Sequence, residues 1–114
     1  MEPLRILLVN AVNPFVEAQN RYPALGLGYL VAMLRREMGE RVDVRLVEWG
    51  VEEQLHDWRP HLLAISSVSQ NYNMAKGYAR LGPSGGTPVV VGGYHITELP
   101  STLTPDMEVG VIGE

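Results

Sequence analysis

The residues able to do chemistry in this chain fall in three short stretches: Asn10 with Asn13 behind it, Ser66-Ser67-Val68-Ser69-Gln70-Asn71, and Gly92-Gly93-Tyr94-His95. Their types favour non-covalent binding over bond-making. Gly92 and Gly93 lack Cβ atoms, so a flat or bulky group can lie against the main chain there. Ser66, Ser67, Ser69 and Asn71 supply hydroxyl and amide groups that both donate and accept hydrogen bonds. The chain has no nucleophile–base pair, no paired carboxylates among these stretches and no metal-ligand spacing. Catalytic and metal-binding residues are therefore expected to be absent, and any reaction belongs to a cofactor or a partner domain.

The elements that must position these stretches alternate. Leu4 to Val9 reads as a buried strand, and the long segment Asn10 to Ala24 carries the breakers Asn13-Pro14 and Tyr22-Pro23. Leu27, Leu30, Val31, Leu34 and Met38 recur at helical spacing, with Arg35, Arg36 and Glu37 outward and Gly39 as the stop. Val42 to Val47 alternates apolar and charged residues, the pattern of an edge strand with one wet face. Val51 to Trp58 reads as a short helix, Leu62 to Ile65 as an apolar strand and Asn73 to Leu81 as a helix. Gly82-Pro83-Ser84-Gly85-Gly86 reads as a turn. Thr87 to Val91 reads as a strand buried on both faces, because Pro88 to Val91 contains no polar residue. Thr97 to Leu103 is expected to form a short helix and Val109 to Ile112 a fifth strand.

This order implies an open α/β domain with right-handed crossovers, a doubly wound, flavodoxin-like (Rossmann-like) parallel sheet of strand order 2-1-3-4-5. In such a sheet ligands bind over the carboxyl ends of the first and third strands, where the order reverses. All three polar stretches fall at that rim.

Composition narrows the partners. The chain of 114 residues, 46% of them hydrophobic, suits one domain with a single core. A net charge of -4 without a dense basic patch argues against nucleic acid or an anionic membrane. Cysteine is absent, which excludes disulfides, thiolate zinc and iron–sulfur ligation within these residues and agrees with a cytoplasmic location. The start Met-Glu-Pro-Leu-Arg lacks the basic region and long apolar stretch expected of a signal peptide, and no run approaches the roughly 18 apolar residues of a membrane span.

Five motifs in order carry a resemblance. Leu7-Leu8-Val9-Asn10, Pro23-Ala24-Leu25-Gly26-Leu27-Gly28-Tyr29-Leu30, Ser66 to Tyr72, Val90-Val91-Gly92-Gly93-Tyr94-His95-Ile96-Thr97 and Val111-Ile112-Gly113-Glu114 together resemble the amino-terminal cobalamin-binding domain of cobalamin-dependent radical SAM proteins. The similarity spans nearly the whole chain. It implies cobalamin as cofactor, with Asn10, Asn13, Ser66, Ser67, Ser69, Asn71, Gly92, Gly93, Tyr94 and His95 as the contact set. It also implies a nucleotide tail slotted near the switch point and a corrin facing a catalytic domain. In that family the final Ile-Gly-Glu runs on into a radical SAM domain, which carries the [4Fe-4S] cluster and S-adenosylmethionine. Residues 1–114 are thus expected to be a fragment or isolated domain of a longer enzyme, a methyltransferase or related, able to self-associate through its cofactor-facing surface.

One departure bears on the cobalt. The loop after the first strand contains neither Asp nor His, so the DxHxxG motif of many cobalamin domains is missing. The lower face is left with water, no ligand, or an oxygen from Asn13, Glu17, Asn20 or Tyr22. The resemblance then implies base-off cobalamin suited to carrying a methyl group; the alternative is a vestigial fold that scaffolds without cofactor. A receiver-like domain lacks its acidic pair and phosphorylatable Asp here, and a flavin site lacks its Ser/Thr-rich phosphate loop.

Each feature also has a structural explanation. Gly92-Gly93 can be a tight strand exit, the serines can satisfy loop backbone, and Asn71 can be the N-cap of the helix beginning at Tyr72 or Asn73. Gly26 and Gly28 are expected to let the helix approach the sheet. A single histidine such as His95, with no second ligand nearby, is more often structural or solvent-facing than metal-bound. Trp49 and Trp58 are expected to pack at the core and edge.

Overall fold

The computed structural model describes residues 2–11, 25–67 and 71–112. The strands are β1 (Leu4–Ala11), β2 (Val42–Val47), β3 (Leu62–Ser67), β4 (Val89–Gly92) and β5 (Val109–Gly110). The helices are α1 (Leu25–Met38), α2 (Val51–Asp57), α3 (Tyr72–Ser84) and α4 (Tyr94–Glu98), with 3-10 turns at Gly39–Arg41 and Pro100–Thr102. All five strands are parallel, in the order β2-β1-β3-β4-β5. This is the flavodoxin-like arrangement that the alternation of the second strand and the apolar first and third strands imply.

Strand alternation divides the core into two layers. Leu7, Val9, Leu63, Ile65, Val89 and Val91 point to the side of α2, α3 and α4, where they meet Val51, Ala75, Ala79 and Ile96. Ile6, Leu8, Val42 and Val44 point the other way, against Val31, Leu34 and Met38 of α1. The first layer runs from β2 to β5; the second stops short. Over β4 and β5 the α1 side of the sheet is not covered by described residues, so Val90 is only half-buried and Val109 and Val111 are 50% and 48% exposed. The expected burial of the fourth strand on both faces therefore holds on one face only.

The placement of α1 explains which side is open. Arg35 Nη2 donates to the Val44 carbonyl at 3.4 Å, which turns that flank of the helix toward β2. At 100° per residue, Leu30 lies about 140° round the helix from Arg35, at the other margin of the face formed by Val31, Leu34 and Met38. Leu30, expected to face inward, is instead 38% exposed.

Two boundaries move for tertiary reasons. α3 continues through Gly82, Pro83 and Ser84, where a turn is expected from the sequence. A Cβ on Gly82 would lie 2.5 Å from Val89 Cγ2 and 2.8 Å from the Thr87 carbonyl, so glycine lets the last turn of the helix press onto β4. The stop moves to Gly85 and Gly86, whose N–H groups donate to the Gly82 and Pro83 carbonyls, and Gly86 takes φ +82°. The expected helix Thr97 to Leu103 resolves into α4 and the 3-10 turn because Pro100 has no N–H to continue α4. Gly28 does not serve close packing, since nothing lies within 4 Å of where its Cβ would be.

The unequal layers predict unequal mutational costs. Val91→Ala is expected to destabilise by about 2–3 kcal/mol, through lost burial and a cavity. Val109→Ala, on the open side, is expected to change stability by less than about 0.5 kcal/mol. Urea unfolding midpoints at constant m test the contrast. No helix among the described residues is long and apolar enough to cross a membrane.

Candidate functional site

Strand register assembles a row of polar and small residues along the carboxyl rim of the sheet. Asn10 pairs with Ser66, and Ser66 pairs with Gly92. Val9 pairs with Val47, so Glu48 follows directly beside Asn10, whose Nδ2 donates to Glu48 Oε2 at 2.9 Å. Asn10, Ser66 and Gly92 share the parity of Leu8, Ala64 and Val90 and so project to the α1 side, where all three are half-buried. Below them lies the apolar strip of Ala64 and Val90. The row crosses the β1/β3 reversal of strand order, where an open α/β sheet takes its ligand.

The neighbouring Ser67 has the opposite parity to Ser66 and faces the other layer. Ser67 is buried at the end of β3. Gly93 has φ +103°, and a Cβ there would lie 2.7 Å and 2.8 Å from the carbonyl oxygen and nitrogen of Ser67 and 3.0 Å from Ser66 Oγ. The close backbone approach expected of a ligand at Gly93 is thus made by β3 itself. A Cβ at Gly92 would make ordinary contact only, 3.7 Å from Val111 Cβ. Asn71 holds the N-cap position ahead of Tyr72, is buried, and makes no capping hydrogen bond with its side chain. Tyr94 opens α4.

His95 belongs to a buried polar cluster beneath the rim. Its ring stacks on Tyr72, with centroids 3.7 Å apart and planes at 22°. Its Nε2 lies 3.0 Å from Thr102 Oγ1, and that hydroxyl donates its only proton to the Leu99 carbonyl at 2.6 Å. Nε2 must therefore carry the proton and donate. Tyr72 Oη donates to the Thr102 carbonyl at 2.9 Å and lies 3.5 Å from Met107 Sδ. The imidazole ties α3, α4 and the Pro100–Thr102 turn together. Tyr72→Phe is expected to cost about 1 kcal/mol for the lost hydrogen bond, read from the thermal unfolding midpoint.

Asn13 and Ser69, and the oxygen donors Glu17, Asn20 and Tyr22, lie outside the described residues. Among those described, no group of three or more His, Asp or Glu is placed to hold a metal ion. Two rim residues escape a reading of the sequence by stretches. Glu48 is detectable only from the β1–β2 register, which sets it against Asn10. Trp49, expected to pack, is 66% exposed, because Gly50 at φ +72° turns the chain out of β2 into α2. Trp58 does pack, with the Arg45 guanidinium 4.3 Å from its ring centroid.

A family model described as the B12 binding domain matches residues 14–114. The chain belongs to the B12-binding domain family. No match is found among the curated proteins. The polar row of this B12-binding domain lies at the reversal of strand order, where open α/β sheets present a ligand crevice. The donor set fits a corrinoid: Asn10 and Ser66 both donate and accept, Glu48 accepts, and Gly92 leaves open backbone between Ser66 and Val111.

Proposed function

We propose that this domain binds cobalamin across the carboxyl ends of β1, β3 and β4, for a radical SAM catalytic domain of the same parent protein. The observation that carries this reading is the Asn10–Ser66–Gly92 row, set by register at the reversal of strand order in a member of the B12-binding domain family. Asn10 and Ser66 would bond the amide arms or nucleotide tail of the cofactor, with Asn13 and Ser69 extending the set. Gly92 would allow the macrocycle close to the main chain, and the strip formed by Ala64 and Val90 would border the tail. Ser67, Gly93 and His95 support the rim from beneath.

When bound, the cofactor supplies a cobalt centre able to carry a methyl group. The chain's own residues bind and orient it. The lower face is read as free of histidine, because His95 is engaged with Tyr72 and Thr102 and the loop after β1 has none. The [4Fe-4S] cluster and S-adenosylmethionine belong to the partner domain, and the reaction is read as methyl transfer or a related radical step.

A second reading, a scaffold that holds no cofactor, draws on the strip at Val90, Val109 and Val111, which no described residue covers and which suits contact with another surface. Visible titration with methylcobalamin separates the two. Saturable binding with conversion to a base-off spectrum is expected for the corrinoid reading. A base-on spectrum in the bound state would overturn the histidine-free, base-off site, and absence of binding would favour the scaffold.

A further inference from the structure

The rim does not end at Glu48. Leu46, Val47, Glu48, Trp49, Gly50, Glu53 and Gln54 line an open groove of about 460 Å³ at the carboxyl end of β2. Glu48 links the two: it lines this groove and accepts from Asn10 of the row above β1 and β3. With strands about 4.8 Å apart, β2 lies about 7 Å from the β1/β3 switch point, within reach of the edge of a macrocycle seated there.

The lining has a definite chemical bias. Glu48 and Glu53 only accept hydrogen bonds, while Gln54, whose carbonyl accepts from Arg45 Nη1 at 2.8 Å, keeps its amide N–H groups as donors. Asn10 uses part of the acceptor capacity of one Glu48 oxygen and fixes the orientation of the carboxylate. Trp49 adds an exposed aromatic face. Two carboxylates, a Gln54 amide and an indole suit a neutral carboxamide, which both donates and accepts, and the carboxylates repel a carboxylate.

The geometry points to this groove as the seat of peripheral carboxamide arms of the corrin, with Glu48 accepting an amide N–H and Trp49 lying along the arm. This rests on the corrinoid reading above and deepens it by naming a specificity site on β2. Amide-armed corrinoids are selected over carboxylate-armed ones by the Glu48 charge.

The test compares cobinamide with cobyrinic acid, both without a nucleotide tail, and hydroxocobalamin, on the wild type, Glu48→Gln and Trp49→Ala. Far-UV circular dichroism confirms that the variants fold, as the exposure of Trp49 leads one to expect. Both variants are expected to bind hydroxocobalamin about tenfold more weakly, the loss of one hydrogen bond to a charged group or of one aromatic contact. Glu48→Gln should also shrink the preference for cobinamide over cobyrinic acid about tenfold, whereas Trp49→Ala should keep it. Wild-type binding matched by both variants, with the preference unchanged, would overturn the groove and leave the corrinoid reading standing. A wild type that binds none of the three would overturn both.

Discussion

Gly93→Ala is expected to destabilise the domain by about 3–5 kcal/mol, a large part of the 5–15 kcal/mol that holds a typical small domain. Two costs add. The residue would keep φ +103°, a conformation that costs a side chain about 1–3 kcal/mol. Its Cβ would also sit 2.7 Å and 2.8 Å from backbone atoms of Ser67, which cannot swing aside as a flexible side chain would. Relief requires β3 and β4 to part at the rim. Chemical denaturation measures this directly, and a variant within 1 kcal/mol of wild type would show that Gly93 is not held by the fold. The same argument makes Gly93 an unsuitable place to test ligand binding, since loss of binding there would report loss of structure.

Gly92→Val separates binding from folding. A Cβ at Gly92 meets Val111 at 3.7–3.8 Å, ordinary contact, and valine suits a strand. Stability is therefore expected to stay within about 1 kcal/mol of wild type. The new side chain projects to the α1 side in register with Ser66, into the space a macrocycle would occupy. Corrinoid affinity is expected to fall about 100-fold, equivalent to about 2.7 kcal/mol, with a smaller loss for Gly92→Ala. Gly92 and Gly93 are neighbours in sequence, yet one variant should lose ligand and the other should lose structure.

That difference marks how far the sequence could be read. Strand order was legible because Val42 to Val47 alternates while Leu4 to Val9 and Leu62 to Ile65 do not, and those patterns assign edge and centre directly. The rim was legible as three stretches, since glycine, serine and asparagine at strand ends are local signals. What each residue does there was not. Gly92 and Gly93 look alike as letters, and only the approach of Ser67 distinguishes them. Glu48 enters the row through pairing across β1 and β2, a relation between residues 38 positions apart. His95 stacks on Tyr72 and bonds Thr102, partners that no spacing rule links to it. Gly82-Pro83 reads as a turn locally, but Val89 and Thr87 press against Gly82 and keep that segment helical. Trp49 reads as core by type, and the left-handed Gly50 beside it carries it outward.

The most direct measurement is equilibrium dialysis of hydroxocobalamin against the wild type and Gly92→Val, with the unfolding midpoint of each protein recorded in the same buffer. Saturable binding to one site in the wild type, about 100-fold weaker in a Gly92→Val protein of near wild-type stability, is the predicted result. Equal binding by both folded proteins would place the corrinoid elsewhere, and no binding to the wild type would contradict cobalamin binding by this domain.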